Sequence, residues 1–223
     1  MPYICHLCSA GKAGDLYTDF SQDAEHRKTK ITTEEFMTTY LALAIICPLL
    51  LIPGFCIWRV FFDIMHTLDL GIYQYAIPSA MWEMTGEGSS ATWTGRSRQI
   101  RFSKAYVSYR LWCKANKVIS VTKKQFKLKR FRPTASKYPM ITQVTAKAAA
   151  TRSTVYWMDT ICESKPAVSD HDKIRALMFS SFVKADVLCR RADRVFTDSE
   201  HDQYRKHIER ALRAYNCLAD ESI

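Results

Sequence analysis

The clearest periodic pattern of apolar residues lies in the C-terminal part of the chain, where they recur every three or four positions. One stripe follows Pro139, a residue suited to the first position of a helix, and a second begins at Ile174. A third follows the Thr197-x-x-Glu200 capping box, which is typical of a helix start. The pattern predicts three antiparallel helices in residues 138–223. Their expected inward residues are Ile141, Val144, Ala148, Thr151, Val155, Met158 and Cys162; Ile174, Leu177, Met178, Phe182, Ala185, Leu188 and Cys189; and Tyr204, Ile208, Ala211, Leu212 and Tyr215.

The longest apolar run of the chain lies nearer its N-terminus. Residues 36–58 contain no charged side chain and are numerous enough to span a bilayer, so a membrane anchor is one interpretation. Pro48, Pro53 and Gly54 interrupt that run and favour a different one. In this second interpretation a buried helix begins at Thr32 or Thr33 and extends to about Cys47, and a loop through Pro53 and Gly54 leads to another buried helix.

The middle of the chain alternates helical and irregular patterns. Residues 55–84 are predicted to be largely helical with a bend at Pro78, and residues 86–95 form a loop that marks the best domain boundary. Residues 98–118 have the pattern of a basic amphipathic helix. QFKLKRF, residues 125–131, alternates apolar and basic positions, which predicts a short strand.

The 223 residues carry a net charge of +10 that is concentrated in one segment. Residues 96–152 contain seven Arg and nine Lys but no Asp or Glu, a charge of +16, whereas the rest of the chain carries −6. Such a segment attracts polyanions and predicts salt-dependent binding of DNA or RNA. The expected contact residues are Arg96, Arg98, Arg101, Lys123, Lys124, Lys127, Lys129, Arg130 and Arg132.

Aromatic residues are interleaved with these charges and have two possible roles. They could stack on bases, or they could belong to the core. Tyr106, Tyr109 and Trp112 lie three residues apart, roughly on one helix face, which favours the core. The same question applies to Phe102, Phe126, Phe131 and Tyr138.

The eight cysteines lack the dense, regular spacing of a secreted disulfide scaffold. The first residues also lack the features of a signal peptide, so we expect a reducing, intracellular location. Cys5 and Cys8 form a C-x-x-C pair that could bind zinc with His26, while His6, Cys56 and His66 are alternative third ligands. No glycine-rich phosphate loop or G-x-S-x-G motif occurs, which gives nucleotide hydrolysis and serine-hydrolase chemistry no support.

An Asp-x-x-His pair, Asp63 and His66, lies within the apolar string IPGFCIWRVFFDIMHTLDLG of residues 52–71. On a helix, residues three apart share a face, so Asp63 could orient the His66 imidazole, or both side chains could face one ion or phosphate. The simpler interpretation is a hydrogen-bonded structural pair, which is the one we expect in this chain.

Three strings in the sequence carry a family resemblance. PGF…WRVFFDIMHTLDLG resembles the segment around the Asp/Cys-x-x-His signature of CACTA-type DDE transposases and related protist sequences. YICHLC with GKAGD resembles the Cys-x-x-Cys piece of those enzymes, and YPMITQVTAKAAATRSTVYWM is similar in wording to the same protist group. The resemblance covers about residues 3–85 and 138–158, and it implies a ribonuclease H-like core that cuts and joins DNA.

The same resemblance implies three metal-binding carboxylates, of which two should precede the Cys-x-x-Cys. This sequence has no counterpart of those two aspartates ahead of Cys5, and two-metal chemistry needs all three carboxylates. We therefore expect no catalytic residue, with Asp63 and His66 as motif remnants, and Mg or Mn only if a preceding segment completes the site. Glu83, Asp159 and Glu163 are the candidates for the third carboxylate.

Together these features predict a mainly α protein with a partial ribonuclease H-like core remnant and an antiparallel helical region. The expected divisions are a core remnant at residues 1–85, a loop and basic segment at 86–137 and a helical region at 138–223. The predicted function is nucleic-acid binding without catalysis, in the nucleus, by a transposase-derived protein with no small-molecule substrate. The alternatives are a helical interaction protein that binds acidic partners and a protein anchored in a membrane by residues 36–58.

Overall fold

The computed structural model of the chain describes residue 8 and residues 23–41, 48–57, 65–87, 92–132, 134, 139–192 and 195–220. These residues are mainly helical and include no strand, which confirms the predicted mainly α fold. The chain divides into two compact units, residues 1–62 and residues 63–223.

The first unit contains two short α-helices, α1 (Glu25–Lys28) and α2 (Thr33–Leu41), and a 3₁₀ helix at Pro48–Leu51. A reciprocal cap begins α2: the Thr32 backbone N–H donates to Glu35 Oε2 at 2.7 Å, and the Glu35 N–H donates to Thr32 Oγ1 at 3.1 Å. The helix start predicted at Thr32 or Thr33 is therefore confirmed. The predicted continuation to Cys47 lies outside the described residues.

A turn follows the 3₁₀ helix and returns the chain toward α2. Gly54 has a φ of +78°, a left-handed conformation that favours glycine, so the predicted loop through Pro53 and Gly54 is confirmed. Beyond the turn the Phe55 ring lies 6.4 Å from that of Phe36, and the Ile57 N–H donates to Thr33 Oγ1 at 3.3 Å. None of the described helices is both long enough and apolar enough to cross a membrane.

The described residues of the second unit form a π-helix at Met65–Ile72 and six α-helices. The α-helices are α3 (Tyr73–Met84), α4 (Arg98–Ala115), α5 (Leu128–Phe131), α6 (Ala148–Glu163), α7 (Asp170–Arg191) and α8 (Asp198–Asp220). The most extensive packing is between α7 and α8, followed by α6 on α7, while the π-helix and α3 pack on α6. Three helices in residues 138–223 are thus confirmed.

Local side-chain caps set the starts of the last two long helices. Ser169 Oγ accepts from the Asp172 N–H at 3.1 Å, and Asp172 Oδ2 accepts from the Ser169 N–H at 3.2 Å. The predicted capping box at Thr197 is also formed, because the Thr197 N–H donates to Glu200 Oε2 at 2.9 Å. Each cap satisfies backbone N–H groups that have no partner within the helix itself.

The π-helix directs one carboxylate into the protein. Its wider turns bring backbone groups five residues apart together, and a Cβ on Gly71 would lie only 3.0 Å from the His66 carbonyl oxygen. Glycine permits that close approach. Leu68 and Asp69 are buried as a result, whereas His66 is exposed.

Proline inside α3 creates a tertiary contact. Pro78 has no N–H, so the Gln74 carbonyl four residues earlier lacks its normal helical partner. The Ile141 N–H supplies that partner and donates to the Gln74 oxygen at 2.8 Å. The segment before α6 is thereby joined to α3, and the Ile141 side chain is completely buried.

This contact explains why the predicted helix start at Pro139 is wrong. The Met140 N–H donates to the Phe131 oxygen at 2.7 Å, so residues 140 and 141 are bonded to other elements rather than to a helix of their own, and α6 begins only at Ala148. Val144, which was expected to face inward, lies in the intervening turn and is 69% exposed. Leu177 is also exposed, because it lies about 100° around α7 from the buried Met178.

The strand predicted at residues 125–131 is also wrong, because α5 forms one helical turn at Leu128–Phe131. A strand would direct Phe126 and Phe131 to opposite faces, since their positions differ by an odd number. In the fold both rings are fully buried and their centroids lie 5.2 Å apart. The helical turn allows both to face one core.

That core is an aromatic cluster centred on α6. The Trp157 ring lies 5.7 Å from Trp93, 5.4 Å from Tyr109 and 6.1 Å from Phe126, all between ring centroids. Phe102 extends the cluster through Phe131 at 5.2 Å. The loop around Trp93 and helices α4, α5 and α6 therefore share one apolar interior.

The chain offers a matched pair of isoleucines that tests this packing. Ile141 is fully buried and Ile119 is 96% exposed. We expect Ile141→Ala to lower the free energy of unfolding by about 2–5 kcal/mol, because it leaves a cavity, and Ile119→Ala to change it by less than about 0.5 kcal/mol. Chemical denaturation followed by circular dichroism measures both. Equal effects of the two substitutions would contradict the position of residues 139–141.

Candidate nucleic-acid interface

The described basic side chains of residues 96–152 differ in exposure: most are exposed, some are half-buried and Arg101 is buried. Arg101 and Arg152 form ion pairs with carboxylates of other elements. Lysines dominate the exposed group, so most of the positive charge of the segment remains in contact with solvent. The exposed members are Arg96, Lys104, Arg110, Lys114, Lys117, Lys123, Lys124, Lys127, Lys129 and Lys147.

Among the nine expected contact residues, Arg101 is the one that lies buried. Its Nε donates to the Thr85 carbonyl at 2.6 Å, its Nη1 to the Gly95 carbonyl at 2.8 Å, and its Nη2 pairs with Glu87 at 3.5 Å. The guanidinium therefore holds the loop before α4 in place. Five of the other expected residues are exposed, and Arg98, Arg130 and Arg132 are half-buried.

Two of these half-buried arginines lie on one aromatic ring. The guanidinium carbons of Arg98 and Arg132 are 4.1 Å and 4.9 Å from the centroid of Trp82. The ring faces attract the cations and limit their side-chain freedom. Partial burial, together with the neighbouring Arg101, lowers the pKa of Arg98, and the Glu87 carboxylate opposes that shift.

The aromatic side chains of the same segment face the interior. Tyr109, Phe102, Phe126 and Phe131 are fully buried, and Tyr106 and Trp112 pack against the cluster while partly exposed. The prediction that Tyr106, Tyr109 and Trp112 form a core face is confirmed. The four buried rings are inaccessible to bases, and Tyr138 lies outside the described residues.

A cluster of charged side chains joins the π-helix, α6 and α7. Asp69 of the π-helix is 1% exposed and accepts hydrogen bonds from Arg152 Nε of α6 at 3.1 and 3.0 Å. Asp186 of α7 accepts from Tyr156 Oη at 2.6 Å and from Arg190 Nε at 2.8 Å, and its Oδ1 lies 3.6 Å from Arg152 Nε. The bond to Asp69 raises the pKa of Arg152. This cluster therefore holds charged groups in place through mutual pairing.

No local sequence pattern predicted a role for Asp69 or Asp186. Asp69 stands between two leucines in an apolar string, and an acid in such a place signals a buried partner. The distance of 83 residues to Arg152 leaves no local spacing that would identify the partner. Asp186 is similarly bonded to Tyr156, which lies 30 residues earlier.

The structure tests few of the expected metal ligands. Asp63 and Cys5 lie outside the described residues, whereas Cys8 is half-buried, His26 belongs to α1 and His66 is exposed in the π-helix. The described part of the chain contains no group of three His, Cys, Asp or Glu side chains arranged to hold a metal ion. The Asp-x-x-His pair and the zinc site remain predictions.

The three candidate third carboxylates have different surroundings. Glu83 pairs with Arg175 at 2.8 Å and lies 3.6 Å from His171, while Glu163 is exposed near the end of α6. Asp159 has a buried Oδ1 without a hydrogen-bond partner. Burial, and secondarily the Glu163 charge, raises the pKa of Asp159 to about 6.

Asp159 gives a test of this environment through pH. Its folded pKa of about 6 exceeds the unfolded value near 4, so its contribution to stability falls as pH rises from about 4 to about 6. We expect Asp159→Asn to raise the free energy of unfolding at pH 7 by about 1 kcal/mol, a value reduced for partial solvation, and to have little effect at pH 3.5. Denaturant titration at both pH values measures this. The exposed Asp23→Asn is the control, and a loss of stability at pH 7 from Asp159→Asn would contradict the environment described.

Comparison of the chain with models of protein families, with curated proteins and with solved structures gave no match. Its function is therefore inferred from its own side chains. Those side chains present a basic surface on which the exposed lysines of residues 123–129 form no ion pair with a described carboxylate.

Proposed function

We propose that the chain is a nucleic-acid-binding protein that contacts phosphates through residues 96–152. The observation that carries the proposal is the separation of side chains in that segment: its aromatic rings form the core, and most of its lysines remain exposed without ion pairs to described residues. Unpaired exposed lysines bind phosphates by releasing counterions. The rigid core behind them holds the cations on a defined surface.

The proposed contacts fall into two groups. Arg96, Lys123, Lys124, Lys127 and Lys129 are exposed and would pair with phosphates as mobile cations. Arg98 and Arg132, held on Trp82, and the half-buried Arg130 would contribute positioned guanidinium groups. Arg101 is omitted from the contacts, because its donors already serve the Thr85 and Gly95 carbonyls.

The salt dependence of binding tests this proposal. We compare the triple substitution of Lys123, Lys127 and Lys129 to Gln with the same substitution of Lys173, Lys184 and Lys206, which are exposed elsewhere. Both variants lose three charges. Filter binding to duplex and single-stranded DNA across a salt series gives the slope of the logarithm of the binding constant against the logarithm of the salt concentration. The magnitude of that slope should fall by about 2–3 for the first variant and stay nearly unchanged for the second.

Two results would overturn the proposal. One is absence of binding at low salt. The other is an equal loss of affinity in both triple variants, because that would show a response to net charge rather than to the proposed surface.

The origin of the chain is a second part of the proposal. The strings around Cys5, Asp63 and residues 138–158 support descent from a CACTA-like DDE transposase, with a remnant of its ribonuclease H-like core. In such a descendant the nucleus would be the site of action, and Cys5, Cys8 and His26 would bind zinc. DNA binding would persist after catalysis was lost.

Catalysis is testable separately from binding. We expect no cleavage or strand transfer of duplex DNA by this chain with Mg²⁺ or Mn²⁺, because the two-metal reaction requires three carboxylates and the resemblance offers candidates for the third alone, Glu83, Asp159 and Glu163. Gel analysis of labelled DNA measures both reactions. Cleavage by the wild-type protein that is lost in Asp63→Asn would show an active site and contradict this expectation.

One observation favours a second candidate function, which is binding of an acidic protein. Val107 and Leu111 of α4 and Ile119 are exposed and line a shallow groove of about 670 Å³ bordered by Arg110 and Lys114. Apolar side chains with a cationic border suit an acidic amphipathic helix. Affinity that persists at high salt would distinguish this partner from a nucleic acid.

A further inference from the structure

A pocket of about 490 Å³ lies between the segment after α4 and the exposed sides of α6 and α7. Its volume is within the range of small-ligand sites and well above that of a bare phosphate ion. Its lining combines three cations with two aromatic rings and an amide. The residues that matter are Trp112, Asn116, Lys117, Arg152, Tyr156 and Arg190.

The two arginines of the pocket are anchored through their inner nitrogens. Arg152 donates through Nε and Nη2 to Asp69, and Arg190 donates through Nε to Asp186 at 2.8 Å. Arg152 Nη1 and both terminal nitrogens of Arg190 make no hydrogen bond to any described residue. Neither carboxylate lines the pocket, so a ligand meets donors that are already held in place.

The aromatic rings are held in a similar way. The Trp112 indole N–H donates to Thr160 Oγ1 at 3.1 Å, and the Tyr156 hydroxyl donates to Asp186 at 2.6 Å. Each ring is fixed at its polar atom. The Arg190 guanidinium carbon lies 5.5 Å from the centroid of Tyr156 and covers one face of that ring, whereas the half-buried Trp112 contributes its accessible surface to the pocket wall. Flat walls of this kind accept a planar base by stacking.

Lys117 and Asn116 complete the lining at the end of α4. Lys117 has a φ of +52°, which ends the helix, and its side chain is exposed. Asn116 Nδ2 donates to the Trp112 carbonyl at 2.9 Å, which leaves its Oδ1 as an acceptor. The pocket thus offers cations for a phosphate and an amide oxygen for a base amino group.

We propose that this pocket binds one nucleotide, with the phosphate on Arg152, Arg190 and Lys117 and the base against Trp112. The inference deepens the proposed function, on which it rests, by assigning an unpaired nucleotide as the preferred unit. A base inside a duplex is stacked and cannot enter such a pocket. The same chemistry is present in a free nucleotide and in a nucleotide of a single strand.

Titration calorimetry with free ligands tests the pocket directly. We expect AMP to bind at one site, adenosine and inorganic phosphate to bind at least tenfold more weakly, and Arg190→Gln to weaken AMP binding about tenfold or more. Arg191→Gln is the matched control, because Arg191 is the exposed neighbour and lies outside the pocket lining. Equal binding of adenosine or of phosphate alone would overturn the assignment.

A conservative variant separates loss of binding from loss of folding. Arg190→Lys keeps the positive charge, so its affinity for AMP should lie between that of the wild type and that of Arg190→Gln. Circular dichroism checks that each variant is folded. Lys117→Asn removes the positive charge and introduces a side chain that tolerates the positive φ at this position, so it should also weaken AMP binding. AMP affinity that is unchanged in both Lys117→Asn and Arg190→Lys would overturn the proposal.

Oligonucleotides distinguish the two sources of the nucleotide and separate this inference from the proposed function. Single-stranded DNA should bind more tightly than its duplex, and Arg190→Gln should remove that preference while the salt slope persists. One possible result is that oligonucleotides bind in a salt-dependent way, AMP does not bind, and Arg190→Gln leaves oligonucleotide binding unchanged. That result would overturn the nucleotide pocket and leave the basic-surface proposal intact. AMP binding without salt-dependent binding of any oligonucleotide would retain the pocket for a free nucleotide and overturn the basic-surface proposal.

Discussion

The packing of the second unit depends on one buried carboxylate, Asp69, which needs a cationic hydrogen-bond partner. Removing a carboxylate from water costs several kcal/mol unless cations and hydrogen-bond donors replace the water. Arg152 supplies both, and its contact with Asp186 extends the pairing to α7. The π-helix, α6 and α7 are consequently held in one relative arrangement. A π-helix suits this purpose because its wide turn, permitted by Gly71, directs Asp69 inward from an apolar segment.

The same arrangement determines which cations face the solvent with free donors. Arg152 and Arg190 are held from behind by carboxylates and keep terminal nitrogens free, so they act as positioned donors with little entropy left to lose on binding. The exposed lysines of residues 123–129 have no such support and act as mobile charges. In the proposed function, the first kind of cation would provide selectivity for a ligand shape, and the second would provide affinity that depends on salt. Both kinds occur within residues 96–152 or pack against them.

The aromatic residues of the basic segment illustrate how one stretch of sequence serves two purposes. Phe102, Phe126 and Phe131 are interleaved with arginines and lysines in sequence, yet they are completely buried around Trp157. Their burial stabilises the surface from which the charged neighbours project. In the proposed pocket, the stacking role that the sequence left open would belong to the partly exposed Trp112.

The sequence by itself determined the helical class, the helix start at Thr32 or Thr33, the capping box at Thr197, the loop at Gly54, the helix of the basic segment and the concentration of charge. These features depend on residues close together in the chain. Only the tertiary structure decided that Leu128–Phe131 form a helical turn, since Phe126 and Phe131 must reach one core. It also decided that α6 begins at Ala148, since Pro78 leaves the Gln74 carbonyl to Ile141. The Asp69–Arg152–Asp186 cluster and its pocket likewise came from the fold. Partners separated by 83 residues leave no periodic pattern, because their proximity arises from helix packing rather than from local spacing.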